Sequence, residues 1–359
     1  MRTTRFLIAL VIVLSVVALP GLFDNAAPSA DAQAAPTGKL AEVLERGRLI
    51  CGVSGTLPGF SFLDPDTGEW SGFDVDYCRA LAAAIFGEVT EDNLEIVALT
   101  AAERFTALQN GDVDVLFRNT TWTLSRDTDL AGDFGPTTFY DGQGLLVRVD
   151  LGVSSIDDLN GASFCTQTGT TTELNITDAM NQRGFDFELI PFETSADSAN
   201  GYASGRCDVL TSDKSQLAGL RTTLEDPSAH VILPDTLSKE PLGPMYLQGD
   251  AQWGDVVNWT VFATFQAEEF RRIGAEITSE NIDDFFGSDN PEIRRFLGEE
   301  GDLGSFLGLS NSFAADIIRA VGNYREIYER NIVPIGIERE GSLNAQWFDG
   351  GLIYAPAWR

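Results

Sequence analysis

Two short signatures each occur twice in this 359-residue chain, and in the same order. C-G-V-S-G-T at 51–56 is echoed by C-T-Q-T-G-T at 165–170, and G-D-V-D-V-L at 111–116 by G-R-C-D-V-L at 205–210. Between them the hydrophobic period switches between strand and helix spacing in the same sequence in each half. The first half predicts a strand at 49–53, then a helix from Asp74 with Val75, Cys78, Ala82 and Ile85 at three-to-four spacing. A strand at 94–99 follows, then a helix opened by a Thr100/Glu103 capping box and closed near Gly111, and a strand at 113–117. The second half predicts strands at 162–166, 187–192 and 207–211, with helices at 171–182 and 196–203. Strands alternating with helices make parallel sheets joined by crossover helices, so each half is an α/β lobe of βαβαβ form. Open α/β sheets bind ligands outside the carboxyl ends of their strands. Functional residues are therefore expected at 52–61 and 119–126 in one lobe, and at 167–172 and 212–214 in the other.

Composition removes whole classes of function. With 24 Lys+Arg against 54 Asp+Glu the formal charge is −30, and binding nucleic acid or an anionic membrane surface needs clustered cations. A hydrophobic share of 43% with 22% charged residues belongs to a globular protein and not to an acidic disordered one. His230 is the single histidine, so zinc sites built on two or more histidines cannot be assembled within this chain.

Residues 1–34 read as a secretory signal peptide. Arg2 and Arg5 precede an apolar run at 6–19, Pro20 and Gly21 break it, and Ala30-Asp31-Ala32 or Ala32-Gln33-Ala34 offers a small-residue cleavage site near Ala32 or Ala34. The run is shorter than the ~20 residues a membrane span needs. The first cysteine is Cys51, far from that site, so no lipid anchor is expected and the protein is placed in the periplasm. In an oxidising compartment four cysteines suggest two disulfides with three possible connectivities. No C-x-x-C pair is present to support a metal site instead.

Longer stretches carry a resemblance. W-S-G-F-D-V-D-Y-C-R-A at 70–80, E-R-F-T-A-L-Q-N-G-D-V-D-V-L at 103–116, N-T-T-W-T-L-S-R at 119–126, G-T-T-T-E-L-N at 169–175 and G-R-C-D-V-L-T-S-D at 205–213 resemble the periplasmic polar amino-acid-binding proteins of ABC importers. The likeness is greatest to the general L-amino-acid-binding subgroup and extends to N-A-Q-W-F-D-G-G-L-I-Y-A-P at 344–356. It implies a type II periplasmic binding fold: two lobes, each a mostly parallel sheet flanked by helices, with a two-strand hinge. The expected division is a signal peptide at 1–34, lobe one at 35–143, lobe two at 144–237, and a return to lobe one with a C-terminal extension at 238–359. The resemblance also implies an L-amino acid as ligand, a membrane permease as partner, no cofactor and no metal. A monomer is expected.

An amino acid presents an α-carboxylate and an α-ammonium, so a selective site needs a fixed cation with donors for one and an anion for the other. The resemblance puts Arg126 on the carboxylate and Asp213 on the ammonium, with Thr121 and the backbone of Asn119 bonding the ligand's main-chain groups. Thr170 and Thr171, where a strand turns into a helix, are either further donors to the carboxylate or plain helix caps. Phe60 is either an aromatic wall over the ligand side chain or a core ring. Arg104 corresponds to a ligand-contacting arginine in some relatives that bind acidic amino acids, or else lies on the surface. Trp122 alternates with Thr121 and Thr123 and is expected to point away. Asp74 and Asp76 read as helix-start residues, and His230 as a surface loop residue.

The echo places Cys51 and Cys165 on equivalent first strands, Cys78 on a helix of lobe one and Cys207 on the third strand of lobe two. A bridge across the cleft would lock a hinge that must move, so Cys51–Cys78 and Cys165–Cys207 are the expected pairs. Three function classes compete: a transport receptor, a dehydratase-like enzyme on the same fold, and a sensory ligand-binding protein. Fold alone does not separate them. One arginine and one aspartate matched to an amino acid's two charges, with no distinctive nucleophile or base, favour the non-catalytic receptor.

Overall fold

The computed structural model describes residues 35–359; the expected signal peptide and its cleavage options lie outside them. Two sheets share one topology. In the first, Leu94–Ala98, Leu49–Val53 and Val115–Thr121 run parallel in that order, and Glu240–Leu247 joins antiparallel beside Val115–Thr121. In the second, Glu188–Phe192, Ser163–Gln167 and Val209–Asp213 run parallel, and Gln143–Arg148 joins antiparallel beside Val209–Asp213. The chain passes from the first sheet to the second through Phe139–Asp141 and Gln143–Arg148, and returns through Glu240–Leu247, which pairs with Phe139–Asp141. These segments form the two-strand hinge.

The echo is thus a structural repeat, and the structure refines one feature of it in both lobes. The third strand of each trio extends further than its own sequence suggests, to Thr121 in lobe one and to Asp213 in lobe two. The cause is the antiparallel neighbour: Leu242 pairs with Thr121, and Gln143 with Asp213, so residues that would otherwise begin a loop gain ladder partners. Cys207 correspondingly lies just before its strand.

Helix Phe73–Phe86 packs on the first sheet, with Tyr77 stacked on Phe117 at 5.5 Å between ring centroids. The C-terminal residues build a further layer on this lobe. Helices Ala251–Glu269, Phe313–Val321 and Tyr324–Asn331 bury Trp253, Phe265, Ile317, Tyr324 and Tyr328 in the same core. The acidic, glycine-containing stretch at 287–308 folds into short helices whose Ile293 and Phe296 are buried there too. Among the described residues no helix is long and apolar enough to cross a membrane.

Cys51 bonds Cys78 with Cα atoms 6.0 Å apart, and Cys165 bonds Cys207 at 5.7 Å. Each pair lies within one lobe. His230 departs from its expected place: it opens the strand His230–Ile232 and lies 2.7 Å from the Tyr202 hydroxyl. Pairing with Gln143–Arg148 draws it out of the loop and onto the sheet edge.

Candidate functional site

Lobe one contributes arginines. The strand Val115–Thr121 ends in a one-turn helix, Leu124–Thr128, whose cap Thr123 accepts the Arg126 amide at 3.3 Å. That turn swings the Arg126 side chain back over the strand end, where its Nη1 donates to the Thr121 carbonyl at 2.9 Å. Arg126 is 7% exposed. Arg104 opens the helix Arg104–Asn110, entered through the reciprocal Thr100–Glu103 bonds, and is 2% exposed. Both guanidinium groups lie against the Phe105 ring, Arg104 at 4.6 Å and Arg126 at 5.2 Å from its centroid. Among the described residues Arg104 Nε has no hydrogen-bond partner.

Burial lowers the pKa of both arginines, and for Arg104 the neighbouring Arg126 and Arg118 cations lower it further. A guanidinium does not give up its proton at ordinary pH, so the physical reading is that this pair of buried cations favours an anion beside it. The opposing charges that act on them are Asp213, on both arginines, and Glu240, on Arg126.

Lobe two and the hinge contribute carboxylates. Asp213, the last residue of Val209–Asp213, is 4% exposed and accepts from Gln216 Nε2 at 3.0 Å. Burial holds its pKa well above the usual carboxylate range, reinforced by Asp141 and Glu240. Asp141 and Glu240 face each other across the two hinge strands. Asp141 accepts the Ser215 amide at 3.1 Å, and burial raises it to about 6. Glu240 accepts from Thr171 Oγ1 at 3.0 Å and Asn175 Nδ2 at 2.9 Å, both on the lobe-two helix Thr171–Arg183.

The lobes meet at the strand ends. Thr56 Oγ1 and Ser195 Oγ are 3.0 Å apart across the cleft. A Cβ on Gly219 would come within 2.4 Å of the Pro58 carbonyl, so this approach of lobe-two helix to lobe-one loop requires glycine. Gly169 combines φ +73° with a similar approach, a Cβ there reaching 3.1 Å from Ala102 Cα.

Four of the expected ligand residues, Arg126, Arg104, Asp213 and Thr121, lie together by these contacts and charges. Arg104 is buried among the charged groups and not on the surface. Thr171 faces the hinge through Glu240. Thr170 spends its hydroxyl on the Gln167 carbonyl at 2.7 Å and makes no side-chain cap bond. Of the Asn119 backbone, expected to bond the ligand, the amide is already taken by Asp74 Oδ2 at 2.9 Å, and among the described residues the side-chain Oδ1 has no hydrogen-bond partner. Asn119 has φ +36°, and the Asp74 bond helps fix that uncommon backbone. Phe60 is a core ring: 1% exposed, it packs edge-on against Phe139 at 5.3 Å and near Phe73 at 5.9 Å. The rings that receive it, Phe73 and Phe139, are themselves buried in the same hydrophobic core. Trp122 is exposed and stacks on Phe134, away from the charges.

Sequence reasoning missed Asp74, Asp141 and Glu240. Asp74 sits in the first turn of its helix as expected, yet it is buried, raised to about 7 by desolvation, and bonded to the third strand. The two hinge carboxylates carry no local signature, since what makes them notable is their facing each other across strands about a hundred residues apart in sequence.

Residues 49–280 match the family described as bacterial extracellular solute-binding proteins, family 3. The chain is 49% identical to the general L-amino acid-binding periplasmic protein AapJ of Rhizobium johnstonii, over 91% of this chain and 95% of that protein. It is 47% identical to the glutamate/glutamine/aspartate/asparagine-binding protein BztA of Rhodobacter capsulatus, with the same two coverages, 91% and 95%. Among solved structures, an ABC transporter periplasmic binding protein from Brucella ovis with glutathione bound superimposes with TM-score 0.85 at 48% identity, over 90% of this chain and all of that one. These relatives are binding proteins. Two echoing lobes on a two-strand hinge, with opposed charges at their strand ends, are what the matched sequence builds, and the chain belongs to the family 3 bacterial extracellular solute-binding proteins.

Proposed function

We propose that this protein captures an L-amino acid between its lobes in the periplasm and delivers it to the membrane permease of an ABC importer. The observation that carries the reading is the opposition of Arg126 and Asp213, one from the end of the third strand region of each lobe. The Arg126 guanidinium takes the ligand's α-carboxylate, and Asp213 takes the α-ammonium. Bound between them, the zwitterion supplies the anion that the buried arginines favour and the cation that a buried carboxylate favours. Lobe one is formed by 35–143 and 238–359 and lobe two by 144–237, so the ligand touches both and closure completes its site.

Arg104, sharing the Phe105 ring with Arg126, adds a second cation for a side-chain carboxylate or amide carbonyl. That favours glutamate, glutamine, aspartate and asparagine as ligands, in keeping with the name of the Rhodobacter capsulatus relative. A broader range is in keeping with the Rhizobium johnstonii relative, and glutathione in the Brucella ovis structure carries the same α-amino-acid head on a longer body. The mature protein is a monomer cut near Ala32 or Ala34, without lipid anchor, cofactor or metal, and does not bind nucleic acid.

Calorimetric titration of the mature chain with each of the twenty L-amino acids tests the reading. Saturable binding of at least one acidic or amide amino acid is expected. Failure of all twenty to bind would overturn it.

A further inference from the structure

The C-terminal residues have a role beyond completing the lobe-one core. Asn344 belongs to the N-A-Q-W-F-D-G-G stretch and is 3% exposed. Its Oδ1 accepts the Tyr140 amide at 2.7 Å, and its Nδ2 donates to the Tyr140 carbonyl at 3.1 Å. One side chain thus satisfies both backbone groups of a single hinge residue, as a neighbouring strand would.

The need for it follows from hinge topology. Tyr140 is opposite Pro241 in the pair formed by Phe139–Asp141 and Glu240–Leu247. Proline has no amide to donate, and the Pro241 carbonyl is taken by the Trp122 amide. Tyr140 therefore turns its own amide and carbonyl to the open edge of the hinge, where unpaired backbone groups are costly once covered. Asn344 covers them.

Asn344 is itself fixed to lobe one. Its carbonyl accepts from Arg339 Nε at 2.8 Å, and the Arg339 guanidinium is held in a two-bond pair by Glu268 of helix Ala251–Glu269, at 2.7 and 2.8 Å. Arg339 also lies over the Tyr324 ring at 4.7 Å, and Tyr328 stacks on Phe139, the residue before Tyr140, at 5.9 Å. Beyond Tyr140 the attachments change lobe. Asp141 accepts the Ser215 amide of lobe two through its carboxylate, and the carbonyl of Gly142 next to it accepts the Lys214 amide of that lobe at 2.9 Å.

We infer that Asn344 is a positioning residue for lobe closure: by pinning Tyr140 to lobe one it confines the turning of this hinge strand to Asp141 and Gly142. Residues 139–140 then move with lobe one and residues after Gln143 with lobe two. Without the pin, rotation spreads into residues 139–140 and the ligand-free protein samples a wider range of lobe separations.

The test uses the ligand-free mature chain, so it stands apart from the identity of the ligand. Hydrogen exchange at the Tyr140 amide and small-angle scattering are compared for wild type, Asn344→Ala and Asn344→Asp. Asn344→Ala should speed exchange at Tyr140 by about tenfold or more and increase the radius of gyration. Asn344→Asp keeps an acceptor for the amide but loses the donor to the carbonyl, so it should retain most of the amide's protection with an intermediate radius. A merely structural residue would lower the melting temperature of the alanine variant while leaving the radius at the wild-type value, and that result would overturn the inference. If Asn344→Ala does not fold, the Asn344→Asp radius decides: intermediate supports it, wild-type overturns it.

Discussion

Thr171, the first residue of a lobe-two helix, donates its hydroxyl to Glu240 of the hinge at 3.0 Å, whereas Thr170 beside it bonds only the Gln167 carbonyl within its own turn. Adjacent threonines of the same motif therefore act on different parts of the molecule. Thr171 couples the start of a cleft-facing helix to the strand about which the lobes turn, and a hydrogen bond to a buried carboxylate is stronger than one between neutral groups.

Thr171→Val should accordingly weaken the best amino-acid ligand by about tenfold, the equivalent of a 1.4 kcal/mol loss. Thr170→Val should cost stability but leave affinity within about threefold of wild type, because its bond is local. Equal effects of the two substitutions in calorimetric titrations would contradict the assignment.

Arg126→Ala and Asp213→Asn each remove one side of the charge pair. Losing one partner of a buried charge-assisted contact costs about 2–5 kcal/mol, roughly thirtyfold to several thousandfold in affinity. Both variants should fold, since the groups lie at the cleft, and both should bind every amino acid more weakly. A variant that binds the best ligand within threefold of wild type would show that its residue does not hold the ligand.

Burial raises Asp74 to about 7 and Asp141 to about 6, against an ordinary 3.8, and holds Asp213 well above that value too. The folded protein thus keeps protons that the unfolded chain has lost. The stability these groups supply is full below the unfolded value and is lost as pH rises through the folded values. Ligand-free protein should melt higher at pH 5 than at pH 8, with Asp74→Asn showing a smaller difference. An α-ammonium favours ionised Asp213, so binding should release protons and tighten from pH 5 to pH 8. Titration in buffers of different ionisation enthalpy measures that release; proton uptake would contradict the role given to Asp213.

What was readable in the sequence followed from local pattern. The echo, the period switches and the turn residues specify two βαβαβ lobes, and the N-T-T-W-T-L-S-R stretch places Arg126 beside the end of a strand. What was not readable depends on distant partners. Thr121 and Asp213 are drawn into strands by hinge segments, Asp74 reaches Asn119, and Asn344 reaches Tyr140 from 204 positions away. Phe60 was ambiguous for the opposite reason: an aromatic beside a glycine can face either cleft or core, and here the Phe73 and Phe139 rings receive it.

The disulfides lie within lobes and close loops separated by 27 and 42 residues. Loss of either should lower stability by about 2–4 kcal/mol, mainly by freeing the unfolded chain, while leaving the cleft and its ligand affinity nearly unchanged. Denaturant melts of Cys51→Ser/Cys78→Ser and Cys165→Ser/Cys207→Ser read the first effect. Non-reducing peptide mapping that joins Cys51 to Cys165 would contradict the pairing.

Small-angle scattering of the mature protein, titrated with its best amino-acid ligand and followed by mass spectrometry of the recovered ligand, bears most directly on capture between two lobes. Contacts available only on closure are what a ligand uses to shift the open–closed balance. The radius of gyration should fall with occupancy and the ligand should return chemically unchanged. An unaltered radius at saturation, or a ligand recovered as a different compound, would contradict the account.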